Sequence, residues 1–351
     1  MASEQPVTPA QAQFKLTKSA MFPLVGGRST WSREHLLPIF VTLIAGIALF
    51  LVPFPWPKLV MNGKPVPAEI NAAWQVFSIL GIYIAFIVCY YINQMCGTAK
   101  RGWVLAVVAL CTFVLLSSPI WHYWYWFFYT VIPATALEKS GSAVARIAGY
   151  WFGTGLAEES FKALPLFAMA LLGVVLGSLS RSTTGRTSAL LGFLRRRIAL
   201  CDPLDGIVMG VASGAGFFLN ETLGQYVPKI MSQGTVPGSQ AFNGLVLLLA
   251  RGLPEMTEHS AWAGLFGYFI GLSVLQPRMA PILLLIGWFS AAALHGAWDV
   301  IGTLTDSDVI GVLFLIGDGL LSYALLAGAI FKAREISPGR VFGPTTATVK
   351  A

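Results

Sequence analysis

Apolar stretches of about twenty residues recur along this chain, and that is the length an α-helix needs to cross the hydrocarbon of a bilayer. They fall at residues 37–53, 73–93, 103–121, 155–178, 204–225, 256–276, 281–302 and 309–331. Lipid offers the backbone no hydrogen-bond partner, so each such segment has to satisfy itself as a helix. The expected fold is therefore all-α, a polytopic transmembrane helical bundle of about eight spans. The bulk numbers agree: 56% of the 351 residues are hydrophobic and 11% charged, with mean hydropathy +0.69, outside the balance of a soluble domain. Residues 121–137 (WHYWYWFFYTVIPATAL), dense in aromatics and broken by Pro133, read as an interfacial belt rather than a further span. The polar residues 1–36 precede the first apolar run, and no small-residue cleavage site follows it, so no signal peptide is expected.

The net charge of +7 is unevenly placed. Lys15, Lys18, Arg28 and Arg33 precede the first span, and Lys100 and Arg101 follow the second. Arg181, Arg186 and Arg195–Arg196–Arg197 follow the fourth, Arg278 the sixth, and Lys332, Arg334 and Arg340 the eighth. Every second connection is thus basic, which predicts that both termini are cytosolic. The arginine run beside a membrane helix points to a topogenic or anionic-lipid role and away from nucleic acid. The four cysteines lack CxxC or Cys/His metal spacing and read as core fillers.

Ionisable groups inside membrane-length apolar segments are costly unless they pair or line a wet cavity, so they mark candidate functional sites. Glu158 and Glu159 stand together in GLAEESFKALP, with Lys162 four and three residues further on, on the same helical face. Adjacent buried carboxylates resist joint ionisation, which suits one of them to act as a general base. Gly206, Gly210 and Gly214 recur every four residues, and Phe217 and Glu221 follow on the same face three and then four residues further on, a pattern that lets helix backbones approach closely and aims Glu221 into the bundle. His259 shares a face with Arg251 and Glu255 by the same spacing, and His295 stands one turn before Asp299. The alternating topology brings these groups to one depth, in the outer part of the bilayer. A hydrated pocket formed from four helices follows. Three glutamates, two histidines, an aspartate and a lysine suit water activation and attack on an amide. They equally suit a divalent metal such as zinc, held by Glu159, Glu221, His259 and His295, with an open water position. A proton-coupled carrier or a non-catalytic scaffold or chaperone would use similar residues.

Taken in order, EESFK (158–162), DPLDG (202–206) with its glycine-rich continuation to FxxxE (Phe217 to Glu221), the histidine at 259 and HGAWD (295–299) resemble the motifs of the PrsW family of intramembrane proteases. That family is part of the wider group of CAAX-processing and bacteriocin-processing membrane peptidases. The likeness runs over about residues 143–302. One departure is visible: Thr222 follows Glu221 where the family typically has Asn. The resemblance implies an endopeptidase acting on membrane or juxtamembrane segments of protein substrates, in some members an anti-sigma factor, by a metal or a glutamate mechanism. It implies that Glu158 and Glu159 hold and deprotonate water while Lys162 sets their charge. Glu221 and His259 would position that water or bind a metal, and His295 and Asp299 would stabilise the oxyanion. The organisation expected is a cytosolic tail over 1–36, a three-helix membrane module with the aromatic segment over 37–142, a PrsW-like catalytic core over 143–304, and a last helix with a cytosolic tail over 305–351. The location expected is a bacterial inner membrane, and the partners are the lipid bilayer and a membrane protein or peptide substrate.

Overall fold

The structure, a computed structural model, describes residues 60, 61, 64–98, 100–233, 239–252 and 254–337; at 60–65 and 250–257 it describes the backbone alone. The expected span at 37–53 and the side chains of Arg251 and Glu255 lie outside that description. Apart from a two-residue ladder pairing Val60–Met61 with Lys64–Pro65, the described chain is helical. Helix α1 (Ala68–Cys96) ends at Gly97, whose φ of 62° is the left-handed cap that lets the chain turn off the helix. Helix α2 (Gly102–Leu116) leads into α3 (Pro119–Trp126), which starts on a proline suited to the first helical turn and runs on as a π-turn, Phe127–Val131. These two stretches meet at 64°. The aromatic segment is thus a helix set at a sharp bend to α2.

Helix α4 (Ala134–Glu138) and α5 (Ala143–Tyr150) come next, and α5 passes through a π-turn, Trp151–Leu156, into α6 (Ala157–Ser182). Glu158 and Glu159 therefore lie well inside a 40-residue helical run, Ala143–Ser182, and not at a helix start. This corrects the placement read from hydropathy, which loses the helix in the weakly apolar residues 143–154. Helix α7 (Gly185–Ile198) returns along the end of α6, and α8 (Pro203–Phe218) continues as a π-turn, Leu219–Tyr226, into α9 (Val227–Ser232). Helices α10 (Ser239–Gly252), α11 (Pro254–Leu275), α12 (Ala280–Leu304) and α13 (Asp308–Ile336) complete the bundle.

All seven spans expected within the described residues are helical. Four helical runs are long and apolar enough to cross a membrane: Ala68–Cys96, Ala143–Ser182, Pro277–Leu304 and Asp308–Ile336. There are six if each of two bent pairs counts as one span. The segment expected at 256–276 is α11, whose first turns carry Glu258 and His259 and dilute its apolarity. The surface is inverted relative to a soluble protein. In α13, Leu313 and Leu320 are 63% and 66% exposed while Asp318 and Ser322 face inward. Such an exterior is stable in lipid, and the chain is an integral membrane protein.

Helix α8 is the axis, with all sixteen of its residues buried. Its stripe of Gly206, Gly210 and Gly214 faces α11, where added Cβ atoms would overlap the carbonyls of Gly267, Ala263 and His259 respectively. On another face, a Cβ at Gly216 would overlap the Ala109 carbonyl of α2. Backbone-to-backbone packing of this kind supplies the dispersion contact that hydrophobicity cannot supply in lipid. It also fixes the level of His259 against α8. The cysteine reading holds for Cys96, which is buried, but Cys111 is exposed on the outer face of α2.

Candidate active site

The seven residues singled out in the sequence meet in one polar cluster. The Lys162 ammonium donates to Glu159 Oε1 at 2.7 Å and lies 2.9 Å from His259 Nδ1. An ammonium can only donate, so His259 Nδ1 accepts and its ring proton sits on Nε2, 3.3 Å from Glu221 Oε2. His295 Nδ1 lies 2.9 Å from the same Glu159 Oε1. An ionised carboxylate can only accept, so this proton belongs to the imidazole and leaves His295 Nε2 with its lone pair. That nitrogen faces Glu158 Oε2 and Asp299 Oδ2, each at 3.5 Å. The orienting partner of His295 is thus Glu159, 136 residues away in sequence, whereas Asp299, one turn on, sits on the opposite nitrogen.

Burial is graded across the cluster. The side chains of Glu159, Lys162 and His295 are at most 2% exposed; Glu221 is 15% and Asp299 28% exposed, marking the open side. Glu158 and Glu159 each keep one oxygen, Oε2, buried and without a hydrogen-bond partner. Such orphaned acceptors are rare in a settled interior and point to a missing donor or cation. With neutral imidazoles, four carboxylates face a single ammonium. Glu159, His259 and His295 each present one donor atom, all within 4.8 Å of one another. Charge, donor chemistry and orphaned oxygens together fit a divalent cation.

Local structure explains how these side chains are aimed. Two of the three π-turns among the described residues adjoin the cluster: one precedes Glu158 directly and the other contains Glu221. A π-turn adds a residue to one turn and re-aims the helix beyond it, which is why such turns gather at functional sites. The backbone of Lys162 is tied to α8 by Ser213 Oγ, which donates to its carbonyl at 2.6 Å and lies 2.7 Å from Thr112 Oγ1 of α2. Phe217 lies under the Lys162 ammonium at 4.2 Å and against His259 at 5.2 Å. The place of the expected amide after Glu221 is taken by Thr222. The amide that precedes it, Asn220, donates away from the cluster, to Phe113 O at 2.9 Å and Ser117 Oγ at 2.7 Å.

Several neighbours were not singled out in the sequence. Helix α3 closes one side: Trp121 packs edge-on against Phe161 at 4.9 Å, and Trp124 Nε1 donates to Ala157 O at 2.9 Å. Glu138 reaches Gly153, and burial, reinforced by Asp299, pushes its carboxyl above the usual range. Glu258 and Asp318 are buried carboxylates beside the cluster; the rule that flagged the others, an acidic residue within an apolar span, also applies to Asp318. Trp262 is fully buried and stacks on His295 at 4.5 Å and 19°, with its Nε1 donating to Ser322 Oγ at 2.9 Å. Its signal is weak, since a tryptophan in an apolar helix reads as core. Ser322→Ala leaves that indole donor buried without an acceptor. The expected result is a loss of about 1–3 kcal/mol in stability and a lower kcat at unchanged KM, measured by thermal unfolding and steady-state cleavage.

The model of the family described as PrsW family intramembrane metalloprotease matches residues 99–326, which takes in the whole cluster, all of α2 and most of α13. Searches of curated proteins and of solved structures each found no match. Since the family match covers more than half of the chain, the protein belongs to the PrsW family and is an intramembrane peptidase.

Proposed function

We propose that the Glu158–Asp299 cluster is the catalytic centre of this peptidase and that it hydrolyses a peptide bond in a membrane or juxtamembrane segment of a protein substrate, such as an anti-sigma-like regulator. The observation that carries the reading is the asymmetry between the adjacent glutamates. Both keep Oε2 without a hydrogen-bond partner, but Glu159 is held through Oε1 by Lys162 and His295, whereas the contact of Glu158 to His295 Nε2 is a longer one of 3.5 Å. Glu158 is the general base. It takes a proton from the attacking water as the water oxygen bonds to the scissile carbonyl carbon, and it returns that proton to the leaving amine as the C–N bond breaks. Glu159 and Lys162 are positioning residues: they fix the His295 tautomer and offset charge. Asp299, the most exposed member, contacts the substrate chain at the mouth. His295 can donate to a developing oxyanion only as the imidazolium, because its Nδ1 proton is committed to Glu159.

Glu159 through its second oxygen, His259, His295 and Glu221 would hold a divalent cation. When bound there, such an ion polarises the carbonyl and makes water more acidic. Ligation by His259 requires one proton to leave the Lys162–His259–Glu221 chain, so binding is expected to release protons and to weaken as pH falls. Metal analysis of the purified protein is expected to find one divalent ion per chain, reduced in a Glu221→Gln, His259→Ala double variant. A chelator should abolish cleavage, and zinc should restore it. Full activity in metal-free protein contradicts the metal assignment and leaves Glu158 acting on water alone.

The scaffold and carrier readings give way to the family assignment. For the topology we keep the positive-inside reading: both termini cytosolic in a bacterial inner membrane, with the cluster toward the outer face. The division into an N-terminal membrane module, a catalytic core over 143–304 and a last helix is likewise our reading. Within it, Ser322 of the last helix serves the core through Trp262.

A further inference from the structure

A second polar site lies at the opposite end of α8 from the catalytic cluster. Nineteen residues separate Asp202 from Glu221, roughly 28 Å at about 1.5 Å per residue. There a cavity of about 550 Å³ opens among Lys100, Arg181, Arg195, Arg196, Asp202 and Asp205. Its wall is the hairpin of α6 and α7, pinned by two crossed bonds: Ser180 Oγ donates to Ser188 O at 3.0 Å, and Ser188 Oγ to Ser180 O at 2.7 Å. Arg195 crosses α6 at Gly177, where a Cβ would come within 3.2 Å of its Nε, and donates from Nε to Gly173 O at 2.9 Å. The guanidinium is thereby fixed in place.

The charges do not cancel. Lys100 and Asp205 neutralise each other at 3.0 Å, with the ammonium also donating to Arg196 O at 2.6 Å. Asp202 commits Oδ1 to the backbone of Asp205 as the cap of α8. Three arginines then face one carboxylate. The guanidinium groups of Arg181 and Arg196 make no hydrogen bond or ion pair among the described residues. On the two helices that wall the cavity, Leu171 and Val174 of α6 and Leu190 of α7 are 64%, 58% and 56% exposed, apolar surface that acyl chains can cover.

We propose that this cavity binds a phosphate group, presented by the headgroup of an anionic phospholipid whose acyl chains lie along α6 and α7. Guanidinium forks match phosphate oxygens in pairs, and basic pockets between membrane helices are suited to anionic headgroups. The cavity volume is in the range that encloses a small organic group. The site differs from the peptidase centre in charge and position, and its occupancy does not depend on the assignment of Glu158.

The test is lipid retention by the full chain, extracted from mixed phosphatidylcholine and phosphatidylglycerol and read by native mass spectrometry. Phosphatidylglycerol should be retained over phosphatidylcholine. Arg181→Gln with Arg196→Gln should weaken retention about thirtyfold, the product of two charges each worth about fivefold near a membrane surface. These side chains have no protein partner among the described residues, so the fold should be unaffected, as a matching melting temperature in pure phosphatidylcholine would verify. Gly192→Leu tests the cavity with every charge in place. Gly192 lines the space, a Cβ there meets nothing closer than 3.6 Å, and the larger side chain should expel the lipid. Inorganic phosphate is the second arm. If it raises the melting temperature in neutral lipid and displaces phosphatidylglycerol, the site stands with free phosphate as its source; if it does neither while the lipid is retained, the source is the headgroup. Equal retention of both lipids by the parent protein, or unchanged retention in both variants, overturns the proposal.

Discussion

Glu158→Gln should lower the cleavage rate about 10²–10⁴-fold, the range for loss of a general base, while leaving the melting temperature near that of the parent. Glutamine preserves shape and removes the proton acceptor from a position where no donor bonds the Oε2 atom. Glu159→Gln should behave differently. Its Oε1 accepts from both Lys162 and His295, so the substitution strands a buried ammonium and loosens the imidazole. Breaking one side of a buried pair costs about 3–5 kcal/mol. Glu159→Gln is therefore expected to lose stability and activity together, and Glu158→Gln activity alone. Measuring melting temperature and single-turnover cleavage on both variants separates the two roles that neighbouring, chemically identical residues play.

The second large effect concerns residues with no chemistry. Gly210→Val places a Cβ on the carbonyl of Ala263, and neither backbone can yield without separating α8 from α11. Overpacking of a tight contact costs about 3 kcal/mol or more when the obstacle is backbone. Here it also moves His259, one turn before Ala263, away from Lys162 and Glu221. The expected outcome is protein that fails to accumulate, or that is retained in the membrane with a sharply lower melting temperature and no cleavage. Gly302→Ala and Gly317→Ala, where an added Cβ meets nothing within 4 Å, are the controls and should match the parent.

The part of this molecule that could be read in advance was the part governed by solvation. Charges are expensive in lipid, so Glu158, Glu159, Lys162, Glu221, His259, His295 and Asp299 announced themselves against an apolar background. The alternation of basic connections placed them at one level. The four-residue glycine stripe likewise foretold which face of α8 meets its neighbour. Everything that needs a helix boundary or a rotamer escaped. The helix Ala143–Tyr150 is amphipathic, too short and too mixed in polarity for hydropathy to join it to α6, and the bend between α2 and α3 is set by packing. The π-turn at Leu219–Tyr226 depends on packing against α1 and α2, not on any local signature. That Glu159 meets His295 Nδ1 while Asp299 meets Nε2 rests on which nitrogen faces which helix. Trp262 and Ser322 are unremarkable residues until a stack and a hydrogen bond across 60 positions join them to the imidazole.

The proposed catalysis rests on one carboxylate acting on water inside the membrane. Its most direct test is cleavage of a labelled single-pass substrate by the purified, metal-loaded chain in proteoliposomes, comparing the parent with a Glu158→Gln variant of equal melting temperature. Two fragments are expected from the parent, with the new ends in or beside the apolar segment, and intact substrate from the variant. Cleavage by the variant at the parental rate contradicts the role given to Glu158.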